Sequence, residues 1–419
     1  MYTLLLPLTA LLAGVALLLT GSGLLGTLLA VRGSQAGFGD QALGLVMSAY
    51  FLGFLLGTFL APPLIRRIGH IRAFAFFAAL CACAVLAHPM LVAPWPWGFL
   101  RLCTGVALVG LYTVIESWLN SQASAEHRGR IFAAYMVVNL LALALGQHLL
   151  QLAPVDSFVL FSLVAILVCA AVLPVAATRL AQPSTPASER MRVRRLAGVA
   201  PAAGMGALCS GLAMGAFWGL APAYAGHQGL DAGQIARFMS LAILGGAAMQ
   251  WPIGRLSDHG DRRVALGLVC TLAAAVAIGA ALLRTPAPGL LYGLFFAYGG
   301  LAFAVYPVAV AHLLDRVSAE QVLPACSTVL LVHGAGAAVG PALAGALMHR
   351  FGPAALPAWF AAMQLAVVAF SLARMLLRRR APESPAQFHP MLRTTPTALE
   401  LLPESESPVP SSTQKKEIH

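Results

Sequence analysis

Long apolar runs follow one another along this chain, and each is closed by a group of charged, proline or glycine residues. A helix rises about 1.5 Å per residue, so about 20 apolar residues cross a hydrocarbon core. Cutting at the breaks predicts twelve helices, near residues 4–30, 41–65, 73–93, 97–120, 131–152, 157–177, 198–224, 233–254, 264–283, 289–313, 324–348 and 356–377. The short alternating strands of a closed barrel, the other way to satisfy backbone groups in lipid, are absent from the pattern. The first run is too long for a secretion signal and no Lys or Arg precedes it, so it is read as the first helix.

Composition agrees with a lipid solvent. Of 419 residues 59% are apolar and 10% charged, against a charged share of about 25% in soluble domains. Seven cysteines fall inside apolar runs with no C-x-x-C spacing, so neither a disulfide framework nor a metal site is expected, and no cofactor. The net charge of +11 could suggest nucleic acid, but the positions of the charges exclude it. Of the 26 Lys and Arg residues, Arg32, Arg284 and Arg350 fall in one set of loops and Arg101 and Arg237 within helices. The rest occupy the alternate loops and the tail, which places both termini in the cytoplasm of a bacterium and the helices in its inner membrane. Arg32, directly after the first helix, locally opposes that orientation, and the summed bias of the later loops outweighs it.

The longest internal break is rich in Pro and Arg and separates six helices from six. The expected division is a six-helix bundle over 1–177, a cytoplasmic linker over 178–197, a second bundle over 198–380 and a disordered tail over 381–419. The halves repeat. A shift of 192 carries Met47, Ser48 and Gly53 onto Met239, Ser240 and Gly245; a shift of 194 carries Gly105, Tyr112, Asn139 and Gly146 onto Gly299, Tyr306, His333 and Gly340. Such symmetry belongs to duplicated transporters, whose substrate site lies near the midplane between the halves.

The loop at residues 254–263, G-R-L-S-D-H-G-D-R-R, resembles the G-x-L-x-D-R-x-G-R-R loop of the major facilitator superfamily, with His259 in place of the usual base and Gly260-Asp261 in place of x-Gly. Its first-half counterpart at 62–72, P-P-L-I-R-R-I-G-H-I-R, keeps Gly69 and the basic residues but has Pro62 for glycine and Arg66 for aspartate. V-I-E-S-W-L-N at 114–120, R-G-R-I-F-A-A-Y-M at 128–136, Gly146-Gln147 and Q-W-P-I-G-R-L-S-D at 250–258 are similar to the YcaD-like branch. The resemblance implies an all-α major facilitator fold of two pseudo-symmetric bundles, and secondary or facilitative transport by alternating access rather than an enzyme activity. Riboflavin import is known among similar proteins and is only a suggestion for this chain.

Glu116 is the one acid placed inside a predicted span, and an ionisable group near the bilayer centre costs at least about 2.5–3.5 kcal/mol unless paired or hydrated. It lies close to the loop that carries Arg128 and Arg130, and three roles stay open: a gating charge, a proton-coupling carboxylate or a substrate contact. The resemblance implies a gating network at this end of helix 4, and extends it to Asp258, Arg262, Arg263, Arg66 and Arg72. Arg101 and Gly105 match the R-x-x-x-G of another facilitator motif, in which the arginine faces the central cavity; snorkelling to the headgroups is the alternative. Asn139 and His333 occupy matching places in the repeat, so both are cavity candidates, with an interhelical hydrogen bond as the other reading. Tyr112, Gln147, Trp218, Gln250, Trp251, Tyr298 and Tyr306 complete the set, although plain packing suits each aromatic taken alone. Asp40, Asp231 and Arg237 read as ordinary interface charges. The run H-G-A-G-A-A-V-G-P at 333–341 combines small residues with a proline that frees a carbonyl, which suits a close, bendable contact with the other half.

G-S-G-L-L-G at 21–26 spells a dinucleotide fingerprint, but it lies inside a predicted helix with no strand before it, so nucleotide binding is rejected. The expected partners are a small organic solute, the bilayer and, in a symporter, protons; a monomer is expected. An acid in helix 1 and a G-P run in helix 5 often mark drug exporters of this superfamily, and neither occurs here. This favours import or facilitated flux, with a drug or metabolite exporter as the alternative. A polytopic sensor or enzyme is the alternative of another class, and the chain shows neither a catalytic set nor a segment long enough for a signalling domain.

Overall fold

A computed structural model describes residues 2–122, 127–177, 183, 191–283 and 286–377. Twelve of its helices are long and apolar enough to cross a membrane. They are α1 (Tyr2–Gln35), α2 (Asp40–Ile68), α3 (His70–Ala87), α4 (Pro94–Gln122), α5 (Arg128–His148), α6 (Val159–Ala170), α7 (Pro201–His227), α8 (Ala232–Asp258), α9 (Arg262–Leu282), α10 (Pro288–Leu314), α11 (Val322–Phe351) and α12 (Ala355–Leu377). A short helix, Val172–Ala176, continues α6 after a break at Ala171, and the two together, Val159–Ala176, make the sixth span. Pro174 supplies no N–H to the turn before it, which accounts for that break.

The expected boundaries differ most at α3 and α1. Helix α3 stops at Ala87, where the chain turns through His88 and Pro89 and the Trp97 indole N–H caps the His88 carbonyl at 3.0 Å. Helix α1 runs on to Gln35, so Arg32 sits in its last turn rather than in a loop. The expected linker is also partly structured: Val193–Val199 is a short helix, and Met191 is bonded to α11 through the Pro324 carbonyl and the Thr328 hydroxyl. The tail at 381–419 and most of 178–190 lie outside the described residues.

The repeat is visible as packing. In α2 and α4, a Cβ on Gly53 would overlap the Leu102 carbonyl, and one on Gly105 would overlap the Tyr50 carbonyl. In α8 and α10, Gly245 meets Phe296 and Gly299 meets Ala242 in the same way. Gly146 of α5 lies against Thr20 of α1, as Gly340 of α11 lies against Leu212 of α7. The shifts of 192 and 194 therefore carry not only residue types but both partners of each backbone contact from one half to the other. Small residues let helices approach closely in lipid, where packing and not water drives association.

Twelve spans bring the described ends of α1 and α12 to one side, called the termini end below; the other side is the far end. The halves meet along two seams, α2 against α11 and α5 against α8. Near the far end Gly44 abuts the Pro341 carbonyl and Gly345 abuts the Asp40 carbonyl. There the Ala342 N–H donates to Ser48 Oγ at 2.9 Å. On the other seam Ser240 Oγ donates to the Ala144 carbonyl at 2.9 Å and lies 3.1 Å from His148 Nε2. Ser48 and Ser240 are repeat partners, as are Ala342 and His148, so one serine closes each seam at equivalent places.

Candidate functional site

A cavity lies between the halves, about 1530 Å³ of empty space when the open solvent at its mouth is included, and is lined by α1, α2, α4 and α5 from one and α7, α10 and α11 from the other. Seven of the nine predicted cavity residues line it: Arg101, Tyr112, Asn139, Gln147, Trp218, Tyr306 and His333. Arg101 is 5% exposed; its guanidinium lies 4.2 Å from the centre of the Tyr50 ring, with Nη2 3.9 Å from Met47 Sδ. It thus turns into the bundle, and the snorkelling reading does not describe it. A cation over an aromatic face gains about 0.5–1 kcal/mol at exposed sites and ~2 when desolvated.

Asn139 donates to the Tyr135 carbonyl one turn back at 2.7 Å, a bond within its own helix rather than across helices. Gln147 is committed to α1: its amide donates to the Gly23 carbonyl at 3.1 Å and accepts from the Thr27 hydroxyl. His333 and Tyr306 place their rings 4.7 Å apart, and Trp218 packs on Phe303 at 5.6 Å. Tyr306 Oη and Ser210 Oγ are buried without a hydrogen-bond partner, and both residues line the cavity.

Two of the nine lie elsewhere. Tyr298 stacks on Phe360 at 4.9 Å inside the second half, because its position on α10 faces α12 and α7 rather than the axis. Gln250 is buried on α8 away from the cavity, with Nε2 unpartnered, and Trp251 is 70% exposed on the lipid face beneath the Arg255 guanidinium. Depth in the membrane was readable from the sequence, whereas helix rotation was not.

At the termini end the two halves use different chemistry. In the second half Arg262, nearly inaccessible, bridges Asp258 at 3.2 Å and Asp315 at 2.9 Å, tying the loop after α8 to the end of α10. Beside it Arg263 holds Asp261 through Nη2 at 2.9 Å. Burial raises the Asp261 pKa, but the hydrogen bonds and charge of Arg263 outweigh that and hold the carboxyl below its usual range. Arg316, bonded to the His312 carbonyl at 2.8 Å, has its pKa lowered by burial and by the nearby Arg263. In the first half Glu116 is fully buried and accepts from Tyr135 Oη at 2.7 Å. Arg66, Arg72 and Arg130 are exposed and Arg128 is half-buried.

Sequence reasoning missed Asp315, Tyr135 and Tyr50. The signal for Asp315 was an acid directly after a span, opposite a loop already rich in arginine. It also treated Asp40 as an ordinary interface charge, whereas Asp40 Oδ1 lies 2.9 Å from His227 Nε2 across the halves at the far end. Asp231 instead caps α8, its carboxylate accepting the Gln234 N–H at 2.8 Å. Among the described residues no group of three or more His, Cys, Asp or Glu side chains is placed to hold a metal ion.

The sequence profile of the Major Facilitator Superfamily matches residues 11–204 and again 203–402, one match to each half. The chain belongs to the Major Facilitator Superfamily. It is 31% identical over 384 residues to an MFS-type transporter of Enterobacter sp. (strain 638), covering 89% of this chain and 96% of that one. It is 29% identical over 374 residues to the MFS-type transporter YcaD of Escherichia fergusonii, covering 89% and 95%. Both relatives carry the word "uncharacterized" in their names. Among solved structures, a bacterial homolog of the human lysosomal transporter Spinster, inward-facing and occupied, has a TM-score of 0.73 at 14% identity over 90% of this chain and 98% of that one. The nucleoside transporter NupG has a TM-score of 0.69 at 13% identity over 91% and 100%. The superfamily is one of membrane solute transporters, not of enzymes, and the YcaD-like resemblance extends over most of the chain.

Proposed function

We propose that this chain carries a small organic solute across the bacterial inner membrane by alternating access, as a monomer with both termini in the cytoplasm. The observation that carries this reading is a central cavity lined by both halves whose far end is closed by two matched serine seams and the Asp40–His227 pair. Rocking one half on the other breaks those contacts and opens the far end, while the termini end closes. The proposed rigid bodies are 1–177 and 198–380. The Arg262 cluster holds α8, α9 and α10 together through the movement, and Glu116 with Arg128 and Arg130 forms the charge network of the first half. Arg263 steadies the loop after α8, and Arg66 and Arg72 remain available to headgroups or to the closing halves.

If transport is coupled to protons, Glu116 and His333 are the groups able to titrate: one is buried beside Tyr135, the other lines the cavity. Uptake into proteoliposomes then follows an imposed pH gradient, and Glu116→Gln removes that dependence; uptake indifferent to both excludes coupling through Glu116.

The movement itself is tested by spin-label distances in nanodiscs. One pair at Ser121 and Ser318 reports the termini end, and another at Ala36 and Gln228 reports the far end. Alternating access requires the two distances to shift in opposite senses between conditions. Distances that stay fixed, or that change at one end alone, contradict it.

A further inference from the structure

The ionisable pair at the far end differs in kind from the two serine contacts, because one of its members changes charge near neutral pH. Asp40 Oδ1 lies 2.9 Å from His227 Nε2, and the contact joins the first half to the second. Both side chains reach solvent, with 16% of Asp40 and 35% of His227 exposed, so protons have access to the imidazole. Asp40 begins α2 and His227 ends α7. The positive end of one helix thus carries the anion, and the negative end of the other carries the group able to become a cation.

The neighbouring arginines and aspartates do not change over the same range. Arg32 sits in the last turn of α1, and Asp231 and Arg237 bond to the Gln234 N–H and the Gly233 carbonyl of α8. On α11 Arg350 lies 5.6 Å from the centre of the Phe351 ring, and on α4 Arg101 lies deeper, against Tyr50 and Met47. Carboxylates and guanidiniums of ordinary strength keep their charge from pH 5 to 8, whereas histidine does not. Two further histidines stand at this end. His349 of α11 is exposed, with Nδ1 3.9 Å from where a Cβ on Gly39 would lie, so its charge acts on Asp40 in the same sense as that of His227. His148 lies on the other seam, 3.1 Å from the Ser240 hydroxyl and 3.4 Å from the Gln151 amide, both neutral.

With a neutral imidazole the contact is one hydrogen bond. Protonation turns it into an ion pair with a hydrogen bond assisted by charge on both sides, stronger than one between neutral groups. Opening the far end separates α2 from α7 and returns both groups to water, so that gain exists in the closed form alone. A ligand that favours one state, here a proton, shifts the equilibrium toward it.

We propose that Asp40 and His227 form a proton-binding site, outside the central cavity, through which acid on the far side holds that end of the transporter shut. In the orientation proposed above the far side is the outside of the cell, so external acid keeps the chain open to the cytoplasm. This opposes the sense of a proton-driven importer, in which external acid speeds uptake. The inference rests on alternating access, and its test separates the two.

Spin labels at Ala36 and Ala354, exposed in the loops after α1 and α11, report the far end, and neither adjoins the pair in sequence. In nanodiscs both faces share one buffer, so orientation does not enter. Between pH 8 and pH 5.5 the ratio of open to closed distances is expected to fall by about two- to fivefold, the range that partly exposed ion pairs supply. Salt at about 0.5 M should shrink the change, since screening weakens the attraction. Asp40→Asn should remove it, and His227→Gln should leave only the part due to His349.

In the unmodified chain an open fraction that ignores pH, or rises in acid, overturns the proposal, and so does a response that survives intact in Asp40→Asn. The unmodified chain decides the main point even where a variant fails to fold. Ends that move in opposition on another trigger yet ignore pH would refute the proton site and leave alternating access standing. A far end closed under every condition refutes both.

Discussion

The two halves are alike where helices touch and unlike where charges cluster. Glycines at 53, 105 and 146 and their counterparts at 245, 299 and 340 make the same backbone contacts. At the termini end, by contrast, the shift of 192 carries His70 onto Arg262 and Arg66 onto Asp258. Arg262 is clamped between two aspartates, whereas His70 packs at 5.8 Å from the Trp118 ring. Helix contact geometry is fixed by backbone approach, which tolerates only glycine. Charge clusters tolerate replacement provided that each buried charge keeps a partner. The difference teaches that the duplication is preserved as packing and has diverged as electrostatics.

The matched side of this comparison predicts the largest effects. Gly105→Leu and Gly299→Leu each force a side chain into a backbone carbonyl. Each should cost about 3 kcal/mol or more, since overpacking alone costs about 1–3 and the backbone cannot yield. Loss of the monodisperse peak on size exclusion is the expected result for both. Survival of one variant and not the other would show that the halves are not packed alike.

The divergent side predicts an asymmetry. Arg262→Ala removes the buried ion pair that Arg262 makes with Asp315, whose side chain is 3% exposed, and the loss approaches the value typical of breaking a buried pair, about 3–5 kcal/mol. His70→Ala removes one aromatic contact, about 1 kcal/mol. Melting temperatures should therefore fall much further for the first, and equal shifts would erase the distinction drawn here. Acid sharpens it. The depressed Asp261 carboxyl contributes stability that is complete above its unfolded value of ~3.9 and is lost as pH falls through its lower folded value. Asp261→Asn should remove that acid sensitivity from the loop after α8.

Smallest are the seams. Ser48→Ala deletes one interhelical hydrogen bond and Ser240→Ala the bond to Ala144 together with the contact to His148, each worth about 0.6 kcal/mol in membranes. Stability should barely change, while the spin-label distance at the far end should broaden toward open states by similar amounts in both.

Much of this fold was legible because a bilayer imposes a length and polarity rule on every span, and the repeat could be read from a handful of residues. Helix α3 ended early for a local reason, its turn at His88 and Pro89, that hydropathy does not register. The site was legible in depth but not in azimuth. Asn139 and His333 line the cavity as the repeat suggests and Arg101 as the R-x-x-x-G motif suggests, while Tyr298 and Gln250, at plausible depths, point into the second half or away from the axis. Hydropathy has no strong angular signal when lipid and protein interior are equally apolar, so a helix's inward face is decided by packing partners far away in sequence. Asp315 escaped for a related reason: its meaning lies in Arg262, which sits fifty-odd residues earlier.

Each seam serine has a main-chain partner, the Ala342 N–H on one side and the Ala144 carbonyl on the other. Every amino acid except proline supplies the first group and every amino acid supplies the second. Substitution at 342 or 144, proline at 342 excepted, therefore leaves these main-chain latches chemically intact, and their genetic vulnerability falls on the serine codons, Ser48 on one seam and Ser240, with His148 beside it, on the other.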